Sequence, residues 1–185
     1  MRLENGFDVP ASVEQSWLLL NDVPTVVPCM PGAELVEVTG EHTWKAKLHV
    51  KLGPIALQFL ADVTRERMDE AAGIIVLGVK AREAKGRGSA EATIESKLSG
   101  LDGGTQVDIV TELELRGAVA QYGRGVVADV ASRLTERFAE CLAGKLAEAP
   151  PRSPEPHAQP AAIGGIRLLV GALWRSMFRR SKGAT

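Results

Sequence analysis

Two cysteines and three histidines are the residues here whose chemistry would be hardest to hide. Cys29 and Cys141 lie far apart and form no CxxC pair, so neither a dithiol motif nor a thiolate metal site is expected. Cys29 would be a nucleophile only beside a base, and no histidine is placed for that, so a buried, unreactive thiol is the expectation. Both thiols should stay reduced in a cytoplasmic protein. His42, His49 and His157 lack the spacing of metal ligands. The Ser, Asp and Glu residues are scattered, and no nucleophile–base or paired-carboxylate arrangement stands out. The chain therefore reads as a non-enzyme, with no catalytic residue, no metal and no covalently bound cofactor.

One short segment is locally costly. Gln121-Tyr122-Gly123-Arg124-Gly125 opens a helical pattern with two glycines, each about 1 kcal/mol less favourable than Ala inside a helix. Two readings fit. A ligand or a neighbouring backbone comes close there, with Gln121 and Tyr122 as polar handles; or the helix start is loosely wound and Tyr122 is a core aromatic. It is not a phosphate loop, because the Gly-Lys-Ser/Thr ending and the preceding parallel strand are both missing.

The elements that would position these residues follow from hydrophobic period. Leu3 to Val9 alternates as a strand ending at Pro10. Ser12 with Gln15 makes a capping box for a helix continuing through Trp17 to Leu20. Asn21-Asp-Val-Pro24 ends it, and Thr25 to Met30 forms a second helical turn or two before Pro31-Gly32. Period-two alternation then marks strands at 43–52, 55–65, 73–81, 89–98 and 106–116. In the first of these, Trp44, Ala46, Leu48, Val50 and Leu52 share one face, while Lys45, Lys47, His49 and Lys51 share the other. One-sided alternation of this kind means an antiparallel sheet with one wet face. The lysine stripe is either simply solvated or a docking site for an enzyme partner. From about Ala118 to Glu148 the period becomes helical, with Tyr122, Val126, Val127, Val130, Leu134, Phe138, Cys141, Leu142 and Leu146 on one stripe.

A strand, two short helices, about six antiparallel strands and a long last helix is the order of the helix-grip fold. It is an α+β architecture in which a curved sheet wraps the helix around an apolar cavity. Aromatic residues are only 4% of the chain, and the sheet faces carry much Ala, Val and Gly, which either leaves space inside or packs tightly. The residues expected around a cavity are Val26, Met30, Leu48, Val50, Leu57, Phe59, Leu77, Val79, Leu113, Gly117, Gln121, Tyr122, Val126 and Val130.

The domain boundaries expected are 1–148 for this body, 149–162 for a proline-rich spacer and 163–182 for an amphipathic helix. In the last, Ile166, Leu169, Val170, Leu173, Trp174 and Met177 fall on one stripe, and Arg167, Arg175, Arg179 and Lys182 mainly opposite. Phe178 and Arg180 are expected to join the membrane-binding set, with Arg180 snorkelling. A basic face with a Trp-bearing apolar face suits a membrane interface, or a partner protein's groove. Charges interrupt the run, which falls short of the roughly 18 to 20 apolar residues of a spanning helix. Residues 166–185 carry five Lys/Arg and no carboxylate, while residues 1–149 hold 16 Lys/Arg against 22 Asp/Glu, a net of −6. An acidic body argues against nucleic acid as partner. Met1-Arg-Leu-Glu-Asn-Gly enters a strand pattern without an apolar h-region, so no secretory leader is expected.

Two stretches resemble a known family. They are Phe7-Asp-Val-Pro-Ala-Ser-Val-Glu-Gln-Ser-Trp17 with Leu20-Asn-Asp22 and Cys29-Met-Pro-Gly-Ala33, and Gly117-Ala-Val-Ala-Gln-Tyr-Gly-Arg-Gly-Val126 leading to Phe138 and Leu142. Both are similar to the CoxG family of carbon monoxide dehydrogenase subunits, within the START/Bet v1-like (SRPBCC) superfamily, over residues 1 to about 148. The resemblance implies membrane recruitment of a molybdenum carbon monoxide dehydrogenase or related hydroxylase, and an apolar ligand in the cavity. The expected function is thus a non-catalytic carrier of an apolar small molecule, with a quinone as the hypothesis. It would be peripheral on the inner membrane's cytoplasmic side, with membrane lipid and the dehydrogenase as partners. The rival is a recruitment adaptor without a ligand of its own.

Overall fold

The computed structural model describes residues 1–52 and 55–148; the expected spacer at 149–162 and helix at 163–182 lie outside the described residues. Strand β1 (Arg2–Val9) leads into α1 (Val13–Asn21), α2 (Val23–Val26) and a 3-10 turn at Val27–Cys29. Six strands follow: β2 (Ala33–Gly40), β3 (Thr43–Leu52), β4 (Ile55–Asp69), β5 (Ile74–Glu83), β6 (Gly88–Leu101) and β7 (Gly104–Gly117). A second 3-10 turn at Ala118–Tyr122 hands over to α3 (Gly123–Glu148). The strands form one antiparallel sheet in the order β1-β7-β6-β5-β4-β3-β2.

Local chemistry sets the elements as expected at the start of the chain. The Gln15 N–H donates to Ser12 Oγ at 3.2 Å, and the Ser12 N–H donates to Gln15 Oε1 at 3.3 Å, closing the capping box of α1. Asp22 then caps α2, accepting from the Thr25 N–H at 3.3 Å and from its hydroxyl at 2.6 Å. Thr105 is wholly buried, and its hydroxyl donates to the Ala11 carbonyl at 2.7 Å, pinning the loop after β1 onto β7.

The seven strands match the expected order of one strand followed by about six, and Ala33–Gly40, which alternation did not mark, is an edge strand. Its alternation is masked by two register shifts against β3, at Leu35/Glu37 and Val38/Gly40, and by near-complete exposure. The thiols are not reduced and separate: Cys29 and Cys141 form a disulfide, which ties the first 3-10 turn to the C-terminal half of α3. Hydrophobic period carries no information about such a long-range pairing, since the sequence separation is 112.

The core sits in three clusters on the sheet face that the helices cover. Val9, Val26, Cys29 and Leu142 are buried together, with Phe7 and Phe138 meeting edge to face at a 6.0 Å centroid separation. Trp17 of α1 packs on Ile75, Leu98 and Val107 at one end of the sheet. At the other end Val119 closes over Leu57, Phe59 and Ala81.

Candidate functional site

Strand register arranges the covered face in rows. Ala46, Ala61, Ala81 and Ala90 stand side by side on four neighbouring strands, followed by Leu115 on β7. The next row is Trp44, Val63, Val79, Ala92 and Leu113. An alanine band across the middle of a concave face removes the volume that Leu or Phe would otherwise contribute to a core. Among the described residues, α3 packs mainly on β1, α1 and the two 3-10 turns rather than on β3 to β6.

The burial pattern agrees. Ala46, Val63, Val79, Ala92, Ile94 and Leu113 are only half-buried and join none of the three clusters. Along α3 the apolar stripe divides in the same way. Phe138, Cys141, Leu142 and Leu146 are packed, whereas Val127, Val130 and Leu134 are half-buried outside every cluster and Val126 is 44% exposed. The N-terminal half of α3 and the centre of the sheet, the two walls of the expected groove, thus both carry half-buried apolar side chains outside the three clusters.

Charged residues hold the ends of this groove, contrary to an expectation of almost wholly apolar inward positions. Glu83 sits beside Phe59 on the covered face, with a fully buried side chain. It accepts from the Arg87 guanidinium at 2.7 Å and from the backbone N–H groups of Lys85 at 2.8 Å and Arg87 at 3.1 Å. The hydrogen bond from Arg87 leads a set of donors that outweigh desolvation and hold the Glu83 carboxyl at about 2. Arg87 also donates to the Ala56 carbonyl at 2.9 Å, so this pair knits β4, β5 and the β5–β6 turn together. Toward the other end, Arg65 lies over the Trp44 ring, 5.3 Å from its centroid, and donates to the Asn21 carbonyl.

The structure sorts the expected cavity residues into three groups. Val79 and Leu113 belong to one half-buried row of the sheet, Val126 and Val130 lie on the N-terminal half of α3, and half-buried Val50 pairs with Leu57 toward the packed end. Leu48, Leu57, Phe59 and Tyr122 form or flank the packed end, Leu77 flanks the Trp17 cluster, and Val26 is buried beside the disulfide. Met30 is half-buried after the 3-10 turn, and Gln121 is exposed. The wall residues that periodicity missed are the small ones, Ala46, Ala61, Ala81, Ala90 and Ala92, whose row is visible only once the register is known.

The glycines bear on one part of the readings of 121–125, the close approach of a neighbouring backbone among the described residues. A side chain at Gly123 or Gly125 would meet nothing within 4 Å, so no backbone approaches them closely. Gly123 instead adopts φ +70, the left-handed turn between the 3-10 segment and α3. Gly117 is different: at φ +77 it crosses Gly88, whose Cα lies 2.9 Å from where a Cβ would be. Its place is the β6–β7 junction rather than the groove wall.

Among the described residues no group of three His, Cys, Asp or Glu side chains gathers as a metal site, and no helix is long and apolar enough to cross a membrane. The fold is shared by solved structures of low identity. A conserved protein from Geobacillus kaustophilus superposes with a TM-score of 0.71 at 23% identity, covering 80% of this chain and 95% of its own. The Zhui aromatase/cyclase from Streptomyces sp. R1128 gives 0.58 at 17%, covering 80% and 93%. A START superfamily protein from Mycobacterium smegmatis gives 0.53 at 15%, covering 79% and 97%. No protein of curated function matches the sequence. The family described as the CoxG subunit of carbon monoxide dehydrogenase matches residues 6–147.

Proposed function

Because the chain belongs to the CoxG family of carbon monoxide dehydrogenase subunits, we propose that its groove carries an apolar ligand, a quinone, between the membrane and a molybdenum-containing dehydrogenase. The observation that carries the reading is the half-buried row of Val63, Val79, Ala92 and Leu113, which joins no packed cluster, together with half-buried Val127, Val130 and Leu134 of α3. A core that only had to be stable would bury those side chains fully, since each buried CH₂ is worth about 0.8 kcal/mol. A planar ring with an isoprenoid tail suits an apolar trough, and the Tyr122 hydroxyl at the packed end is a handle for a ring oxygen. The dehydrogenase must pass electrons onward, and a quinone is the acceptor that a membrane supplies.

Attachment is assigned to Ile166, Leu169, Val170, Leu173, Trp174, Met177 and Phe178, with Arg175, Arg179 and Arg180 toward anionic headgroups. Each cation near such a leaflet contributes about 1 kcal/mol, which suits reversible binding. No catalytic residue is invoked, because the groove walls offer no convergent acid and base. The adaptor reading is favoured by a different observation, the exposed lysines of β3, as a surface for gripping the dehydrogenase.

Extraction of the full chain from native membranes, followed by mass spectrometry of bound lipids, separates the two. Stoichiometric quinone supports the carrier; protein that emerges without an apolar small molecule supports the adaptor.

A further inference from the structure

The sheet's outer face carries two adjoining shallow troughs of opposite charge, about 650 and 610 Å³ in volume. The first is lined by five cations, including Lys47, Arg82 and Arg116, against two carboxylates. The second is lined by five carboxylates, including Glu66 and Glu112, against one lysine and the chain's amino terminus. Asp62, Lys80 and Glu91 border both. A separation of charge on this scale, on a body of net charge −6, is what a self-complementary surface needs.

Register shows how the two halves would meet. Lys47, Leu60, Arg82, Ser89 and Arg116 form one row across β3 to β7. Two rows along the strands come Thr64, Gly78, Thr93 and Glu112, with the Glu66 side chain lying across Gly78. Between them runs a row of mixed sign: Lys45, Asp62, Lys80, Glu91 and Glu114. A twofold axis along that middle row puts the basic row of one copy over the acidic row of the other, with Arg82 over Glu66 and Arg116 over Glu112. Residues of the middle row lie near the axis and meet their own copies, so the attraction comes from the two flanking rows of opposite sign.

We propose that this outer face binds a second copy of the chain, forming a twofold dimer held by the two troughs. Other occupants fit less well. An anionic membrane or a uniformly acidic protein would meet the basic trough but be repelled by the acidic one beside it. Leu60, 48% exposed in the basic row, is the apolar contact in an otherwise polar interface. Five strands at about 4.8 Å and three rows at about 7 Å outline roughly 500 Å² per copy, under two-thirds of a standard interface. The association is therefore weak and strongly dependent on salt. It leaves α3 and the groove of each copy pointing away from the contact, and it does not rest on the ligand assigned to that groove.

Sedimentation velocity of the full chain tests this at about 20 mM and about 500 mM salt, where the Debye length falls severalfold. The proposal expects dimer at low salt and monomer at high salt. R82E/R116E and E66R/E112R, each checked by circular dichroism, should each weaken self-association tenfold or more. An equal mixture of the two should associate again as a heterodimer. A wild-type chain that stays monomeric at low salt overturns the proposal. Association indifferent to salt and to both variants overturns it too, by placing the contact elsewhere. Failure of the mixture to re-associate overturns the pairing of the two troughs.

Discussion

Glu83 is a buried carboxylate in the wall of an apolar groove, and three donors keep it charged. Its carboxyl is lowered from 4.5 to about 2, with the Arg87 hydrogen bond the largest cause. A depressed folded value means that the stabilisation is fully present above pH 4.5 and is lost as pH falls from there through about 2. Glu83→Gln keeps the shape but removes the charge that Arg87 needs. The variant should melt several degrees lower at neutral pH, and its melting temperature should vary less between pH 4.5 and pH 2 than that of the wild type. Thermal melts across that range by circular dichroism check both effects; parallel acid limbs for the two proteins would show that Glu83 does not titrate as described.

Among the elements, α3 has two halves with different jobs. Its C-terminal half is locked by Leu142 packing and by the disulfide to the first 3-10 turn, while its N-terminal half roofs the groove. Closing a loop of 112 residues removes chain entropy worth about 4 to 5 kcal/mol on the simple polymer estimate. Reduction, or the double variant C29A/C141A, should therefore lower unfolding free energy by up to that amount, read from urea melts with and without reductant. The sequence showed α1, its capping box, five of the later strands and the stripe of α3, because each has a period or a local motif. β2 was hidden by its bulges, the disulfide by its span, and the alanine row by the fact that register between strands is a tertiary property. The burial of Glu83 was equally illegible, since a Glu among Lys80, Arg82, Lys85 and Arg87 reads as part of a solvated strand end.

At the scale of the molecule, the three clusters buried among the described residues draw only on elements from β1 to α3. Deleting 162–185 should leave the melting temperature of the body unchanged while releasing it from anionic vesicles in a flotation assay. Unfolding of the truncated chain would instead make the tail part of the core. A carrier body with a separate membrane tail needs a fold that is stable around an unfilled groove.

The open groove is tested most directly at Ala92, which is half-buried on the covered face between Val79 and Leu113 and outside every cluster. The measurement is titration of wild type and Ala92→Leu with a short-tailed quinone, followed by tryptophan quenching, alongside urea melts of both. An unfilled groove accepts the larger side chain at little cost in stability while quinone binding falls tenfold or more. A loss of about 1 to 3 kcal/mol, the usual penalty for overpacking a filled core, with no quinone binding by the wild type, would contradict it.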